Sequence, residues 1–167
     1  MRRFRVRPAL QITLVSLGSF LCGFHFTALF HRPSAAMGGL WAVISGIVVL
    51  QEDWRGTLSS AWLRVLGTLV GATVSAIYLS FLPFDPFGMA ACIFATVLLC
   101  HAAGIPDPAR LAAVTVALIM VVQTLHPAVS PVASAAPRFA ESFLGAAIAV
   151  LVVRLWPAGD AALKGSA

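Results

Sequence analysis

Few residues in this chain could do chemistry inside its apolar stretches: Arg64, Arg138 and Glu141, with His25 and His101. Placing an ionisable group at the centre of a hydrocarbon layer costs about 2.5–3.5 kcal/mol, so such groups are functional candidates by default. A guanidinium offers a planar fork that stays charged at every working pH and grips a carboxylate through two parallel bonds. By residue type alone, Arg64 and Arg138 are candidates to anchor an anion and Glu141, a carboxyl that can pick up a proton, is a candidate proton carrier. A plainer reading competes with this one. Arginines near helix ends send their heads to the lipid headgroups, and Glu141, three residues after Arg138 in the first turns of its helix, suits a local ion pair.

Histidine as a residue type can relay protons, but neither His25 nor His101 has an acid at helical spacing, which favours packed or interfacial rings. No group of His, Cys, Asp and Glu has metal-ligand spacing, and Cys22, Cys92 and Cys100 read as small buried hydrophobes. The motifs GxSxG, HExxH and GxxxxGK are all missing. Neither an enzyme nor a bound metal or cofactor is expected.

The elements that must carry these residues follow from composition. Of 167 residues, 60% are hydrophobic and 10% charged, with a mean hydropathy of +0.95. Soluble domains hold about 25% charged residues, so the excess apolar surface must face a lipid bilayer. Six apolar runs emerge: 10–30, 35–50, 57–82, 87–104, 111–125 and 138–156. Pro83 and Pro157 close the third and sixth, and HPAVSPVASAAP reads as a loop before the last. The runs are continuously apolar rather than alternating, which predicts an all-α, six-helix transmembrane bundle over residues 10–157 and excludes a barrel. Residues 1–9 form a basic leader into an uncleaved first helix, and 158–167 a polar tail.

The net charge of +5 could suggest nucleic acid, but the basic residues sit at the ends of apolar runs without interleaved aromatics. They carry orientation instead. With the amino terminus inside, Arg2, Arg3, Arg5, Arg7, Arg55, Arg64, Arg110, Arg154 and Lys164 fall inside, against Arg32 and Arg138 outside. That bias places both termini in the cytoplasm. Small residues every fourth position, Gly38, Ala42 and Gly46 in the second run and Gly67, Gly71 and Ser75 in the third, mark faces for close helix contact. Trp41, Trp54, Trp62 and Trp156 lie near the ends of runs, as an interfacial belt requires.

Laying RVLGTLVGATVSAIYLSFLP on RFAESFLGAAIAVLVVRLWP aligns Arg64 with Arg138, Thr68 with Ser142, Gly71 with Gly145 and Pro83 with Pro157. Upstream, AVISGIVVLQ lies on VTVALIMVVQ. A three-helix unit used twice must enter the membrane from opposite sides, giving an inverted repeat of the kind common in transporters.

WAVISGIVVLQ, RVLGTLVGA and RFAESFLGAAIAVLVVRL resemble the membrane domain of the fusaric acid resistance (FUSC-like) and aromatic acid exporter family of bacterial inner-membrane proteins, over roughly residues 10 to 157. The resemblance implies a six-helix bundle, present twice in larger members beside cytoplasmic domains, that exports aromatic carboxylic acids using the proton gradient. A single bundle implies a homo-oligomer, a dimer or higher, or a separately encoded partner protein. The function expected is efflux of small aromatic or amphipathic organic acids; the alternative is a non-transporting scaffold or accessory subunit.

Overall fold

A computed structural model of the chain describes residues 6–125 and 130–156. Arg2, Arg3 and Arg5, Pro157, Lys164 and the rest of the expected tail lie outside the described residues. Six helices follow one another: α1 (Val6–Phe30), α2 (Ala35–Val49), α3 (Trp54–Phe81), α4 (Pro86–Ala102), α5 (Ala109–Leu125) and α6 (Pro131–Leu155). A short 3-10 turn at Arg32–Ser34 joins α1 to α2.

Local chemistry sets the helix ends. The carboxylates of Asp53 and Asp85 accept hydrogen bonds from the backbone N–H of Gly56 and Gly88, at 3.1 and 2.8 Å, capping α3 and α4. At the far end of α3, Leu82 is extended (φ −133°, ψ 143°), the conformation that Pro83 imposes on its predecessor. Beyond α4, Gly104 takes φ +72°, which a side chain would disfavour.

Four segments are long and apolar enough to cross a membrane on their own, Val6–Phe30, Arg32–Val49, Trp54–Phe81 and Ala135–Leu155. Helices α4 and α5, at 17 residues each, fall just short. At 1.5 Å per residue they span about 25 Å, so the bilayer must thin beside them or their flanks must share the crossing. The chain is a multi-pass membrane protein.

The last helix differs from the sequence expectation. It starts at Pro131 and runs through Pro137, so the end of the presumed loop is helical. Pro131 occupies the first position, where its missing N–H costs nothing, and Pro137 removes a single backbone bond. Tertiary burial offsets that loss, since Ala135 packs against Ala72 of α3 and Ile119 of α5.

Glycines set the helix arrangement. A Cβ on Gly23 of α1 would strike Gly38 and Ala42 of α2, and one on Gly46 would strike Val15 and Ser19 of α1. Gly145 of α6 rests directly on the Ala42 carbonyl. Gly67 and Gly71 of α3 rest on Ala112 of α5. The small-residue faces are therefore filled within the chain. Helices α1, α2 and α6 form one tight unit and α3, α4 and α5 another; the two meet along α3 and α6, while α2 and α3 touch little despite being consecutive. Val15, Val49, Ala61, Ala146 and Ala149 fill the core at one end. There Gln11 donates to the Trp156 carbonyl at 2.7 Å and the Arg7 guanidinium lies 6.0 Å from the Trp156 ring, so α1 begins and α6 ends on the same side.

Candidate functional site

Helical spacing inside the bundle selects the polar residues that meet there. On α1, Gln11, Val15, Ser19, Gly23 and Thr27 are buried at every fourth position, a stripe facing α2 and α6. On α2, Trp41 and Ser45 share one face a turn apart, and on α3 so do Arg64 and Thr68. Helix α6 contributes Arg138, Glu141 and Ser142.

Arg64, Arg138 and Glu141 lie far deeper than the first turns in which the sequence placed them. Arg64 is ten residues into α3 and Glu141 ten residues into α6, each about 15 Å along its helix. Arg64 is 2% exposed, Arg138 8% and Glu141 0%, so neither arginine reaches out to the headgroups.

Two sets of contacts hold these charges. In one, Arg138 Nη1 lies 2.9 Å from Glu141 Oε2, near in distance but not aligned as a hydrogen bond. Thr27 Oγ1 donates to Glu141 Oε1 at 2.7 Å. Gly38 makes room for that bond, because a Cβ there would run into Thr27 Oγ1 and Glu141 Oε1. The Arg138 guanidinium also sits 5.6 Å from the centre of the Trp41 ring, within cation–π range.

In the other set, Arg64 Nε donates to Ser45 Oγ at 3.2 Å, a bond that joins α3 of one helical unit to α2 of the other. Among the described residues no carboxylate lies within ion-pair distance of Arg64. Trp41 and Ser45 are a turn apart on α2, so the two cations approach neighbouring rungs of one helix face, about 6 Å apart along its axis. Arg138 and Glu141 cancel, which leaves this buried cluster with the single positive charge of Arg64. Nearby, the buried Trp41 Nε1 and Thr68 Oγ1 have no hydrogen-bond partner among the described residues.

A buried, low-dielectric cluster with one uncompensated guanidinium and spare donors has the chemistry to bind one anion, and the Trp41 ring beside it suits an aromatic one. Sequence reasoning brought together Arg138 and Glu141 but missed Thr27, Ser45, Thr68 and Trp41. Trp41 is 4% exposed and belongs to the interior rather than to the interfacial belt, whereas Trp54, Trp62 and Trp156 are exposed. His25 and His101 lie in separate surface grooves, away from this cluster. Among the described residues no group of His, Cys, Asp and Glu could hold a metal.

Comparison with known proteins gives the geometry a context. The p-hydroxybenzoic acid efflux pump subunit AaeB of Edwardsiella ictaluri (strain 93-146) is 35% identical over 72 residues, 42% of this chain and 11% of that protein. The matched stretch thus spans about a tenth of the length of the relative. No solved structure matches. The family model for fusaric acid resistance protein-like proteins matches residues 21–152, from α1 through α6 and across the entire buried cluster. With its helical bundle and transporter-like design, the chain belongs to the fusaric acid resistance protein-like family.

Proposed function

We propose that this protein exports small aromatic or amphipathic organic acids across the bacterial inner membrane, with Arg64 holding the carboxylate. The observation that carries this reading is the positive charge of Arg64, buried in mid-bundle with Ser45 as its hydrogen-bond partner and, among the described residues, no carboxylate beside it. A buried cation kept without a counter-ion is costly, and an incoming carboxylate removes that cost. The substrate for which the relative is named, p-hydroxybenzoic acid, has the expected chemistry, a ring bearing one carboxylate.

Arg138 and Glu141 complete the site in this reading. While Glu141 is ionised it neutralises Arg138; once protonated it releases a second cation toward Trp41. Glu141 faces Thr27 of α1, Gly38 of α2 and Arg138 of its own helix, so Arg138 is the charged group beside it. Both termini are assigned to the cytoplasm on the strength of the arginine and lysine bias. Assembly with a second copy or a separately encoded partner is part of this reading, supported by the relative's being named a pump subunit. The aligned arginines and the parallel seating of Gly71 on α5 and Gly145 on α2 favour an inverted repeat of three helices.

The test is efflux of labelled p-hydroxybenzoate from cells carrying wild-type or Arg64→Gln protein at equal membrane levels. Wild type should export and the variant should lose at least tenfold in rate, the scale of a lost charged hydrogen bond. Equal rates would remove Arg64 from the mechanism, and no efflux by wild type would end the exporter reading.

A further inference from the structure

Two surface grooves of nearly equal size, about 700 and 710 Å³, open at opposite ends of the bundle. Neither is part of the buried cluster. One lies where α1 turns into α2 and carries His25 and Arg32. The other lies where α4 turns into α5, on the side where α1 begins and α6 ends, and carries His101 and Arg110. Volumes of this size match sites for small organic ligands, which run from about 300 to 1,000 Å³.

We propose that the α4–α5 groove captures amphipathic carboxylates from the adjoining lipid leaflet and passes them inward to Arg64. This rests on the exporter reading above and adds the route by which substrate reaches the site. The walls are apolar, with Leu63, Val97 and Leu111 among them, and the mouth is polar, with His101, Arg110 and Asp107. Such a profile matches a molecule with an aromatic ring at one end and a negative charge at the other. His101 Nδ1 pairs with the Val97 carbonyl at 2.8 Å, which fixes the ring in the groove lining. Arg110 has no carboxylate within ion-pair distance among the described residues, although Asp107 precedes it by one turn. Arg110, exposed and unpaired there, supplies the cation that a carboxylate head would meet at the mouth.

The groove also points the right way. Leu63 is the chain neighbour of Arg64, and Val48 lies one turn along α2 from Ser45, the partner of Arg64. Part of the wall thus belongs to α2 and α3, the helices that hold the buried guanidinium, and these two consecutive helices touch little. Leu63 and Arg64 point from different sides of α3, so passage inward requires α2 and α3 to part along the seam where they touch little.

The experiment is photolabelling of the full chain in nanodiscs of neutral lipid with 4-azidobenzoate, with adducts mapped by mass spectrometry. Adducts should cluster on the segments around Leu63, Val97 and Leu111. The double variant His101→Gln/Arg110→Gln, altered only at exposed positions, should lose about tenfold in labelling, and neutral 4-azidobenzamide should label wild type no better than that. Unchanged labelling in the double variant, equal labelling by the amide, or adducts elsewhere would overturn the proposal. Loss of labelling on adding phosphatidylglycerol to the discs would assign the groove to a lipid headgroup and overturn it as well. Charge-dependent labelling without cellular efflux would sink the exporter reading alone; efflux with labelling indifferent to His101 and Arg110 would sink the groove alone.

Discussion

Glu141→Gln is the most informative single change in this protein. Gln is almost isosteric, so the Thr27 bond at 2.7 Å and the fit against Gly38 can survive, while the negative charge 2.9 Å from Arg138 vanishes. Arg138, 8% exposed, is then left as a second buried cation close to Arg64. Removing one partner of a buried ion pair costs about 3–5 kcal/mol, because the other charge stays desolvated. Replacing both partners with uncharged groups restores much of that. We therefore expect Glu141→Gln to lose about 3–5 kcal/mol of stability and Arg138→Gln/Glu141→Gln to recover at least half of the loss. The assay is reversible unfolding of purified protein in mixed micelles by sodium dodecyl sulfate, followed by helical circular dichroism and set out as a double-mutant cycle. A Glu141→Gln protein as stable as wild type, or a cycle without coupling, would refute the ion-pair reasoning.

Other expectations are more local. Gly145→Ala places a methyl group in the Ala42 carbonyl and should separate α6 from α2, lowering stability in the same assay by about 1–3 kcal/mol, as overpacking does; no change would mean the helices are not in contact there. Gly104→Ala meets no neighbouring atom, so its cost should be the left-handed backbone alone, about 1–2 kcal/mol, and a larger loss would contradict the open space around it. If the proposed exporter holds its carboxylate on Arg64 and the guanidinium stays with the protein, efflux should move the charge of the anion. In proteoliposomes a 100 mV potential should bias carboxylate movement by about 2.3 kcal/mol per charge, roughly fiftyfold. Accumulation indifferent to a valinomycin-imposed potential would show that the anion travels with a compensating cation.

Much of this architecture was legible because apolar runs in a chain this poor in charge leave few alternatives to spanning helices. The glycine stripes were equally readable, since close approach demands the lack of a side chain. The start of α6 was not legible, because Pro, Ala and Ser in sequence say loop until burial of Ala135 against Ala72 and Ile119 outweighs one missing backbone bond. The depth of Arg64 was hidden for a related reason. Hydropathy dates the start of α3 near Thr57, whereas the Asp53 cap begins it at Trp54 and pushes Arg64 further inside. Trp41 looked interfacial by its place in the apolar run, although its spacing of one turn from Ser45 already put both on the face that carries the site. The polar and small stripe of Gln11, Val15, Ser19, Gly23 and Thr27 was also visible at period four, and it marks Thr27 as inward-facing.

Helix α6 is the last of the six to leave the ribosome, yet it is the one against which α1, α2 and α3 all close. Until it arrives, Gly38 and Ala42 have no neighbour on that side, and Arg64 waits in a half-built groove. Biogenesis of this protein therefore cannot proceed helix by helix toward a finished product. The first five helices must be held in the membrane as an open clasp, and a chain cut before α6 should be handed to quality control, while α6 supplied as a separate peptide should close it.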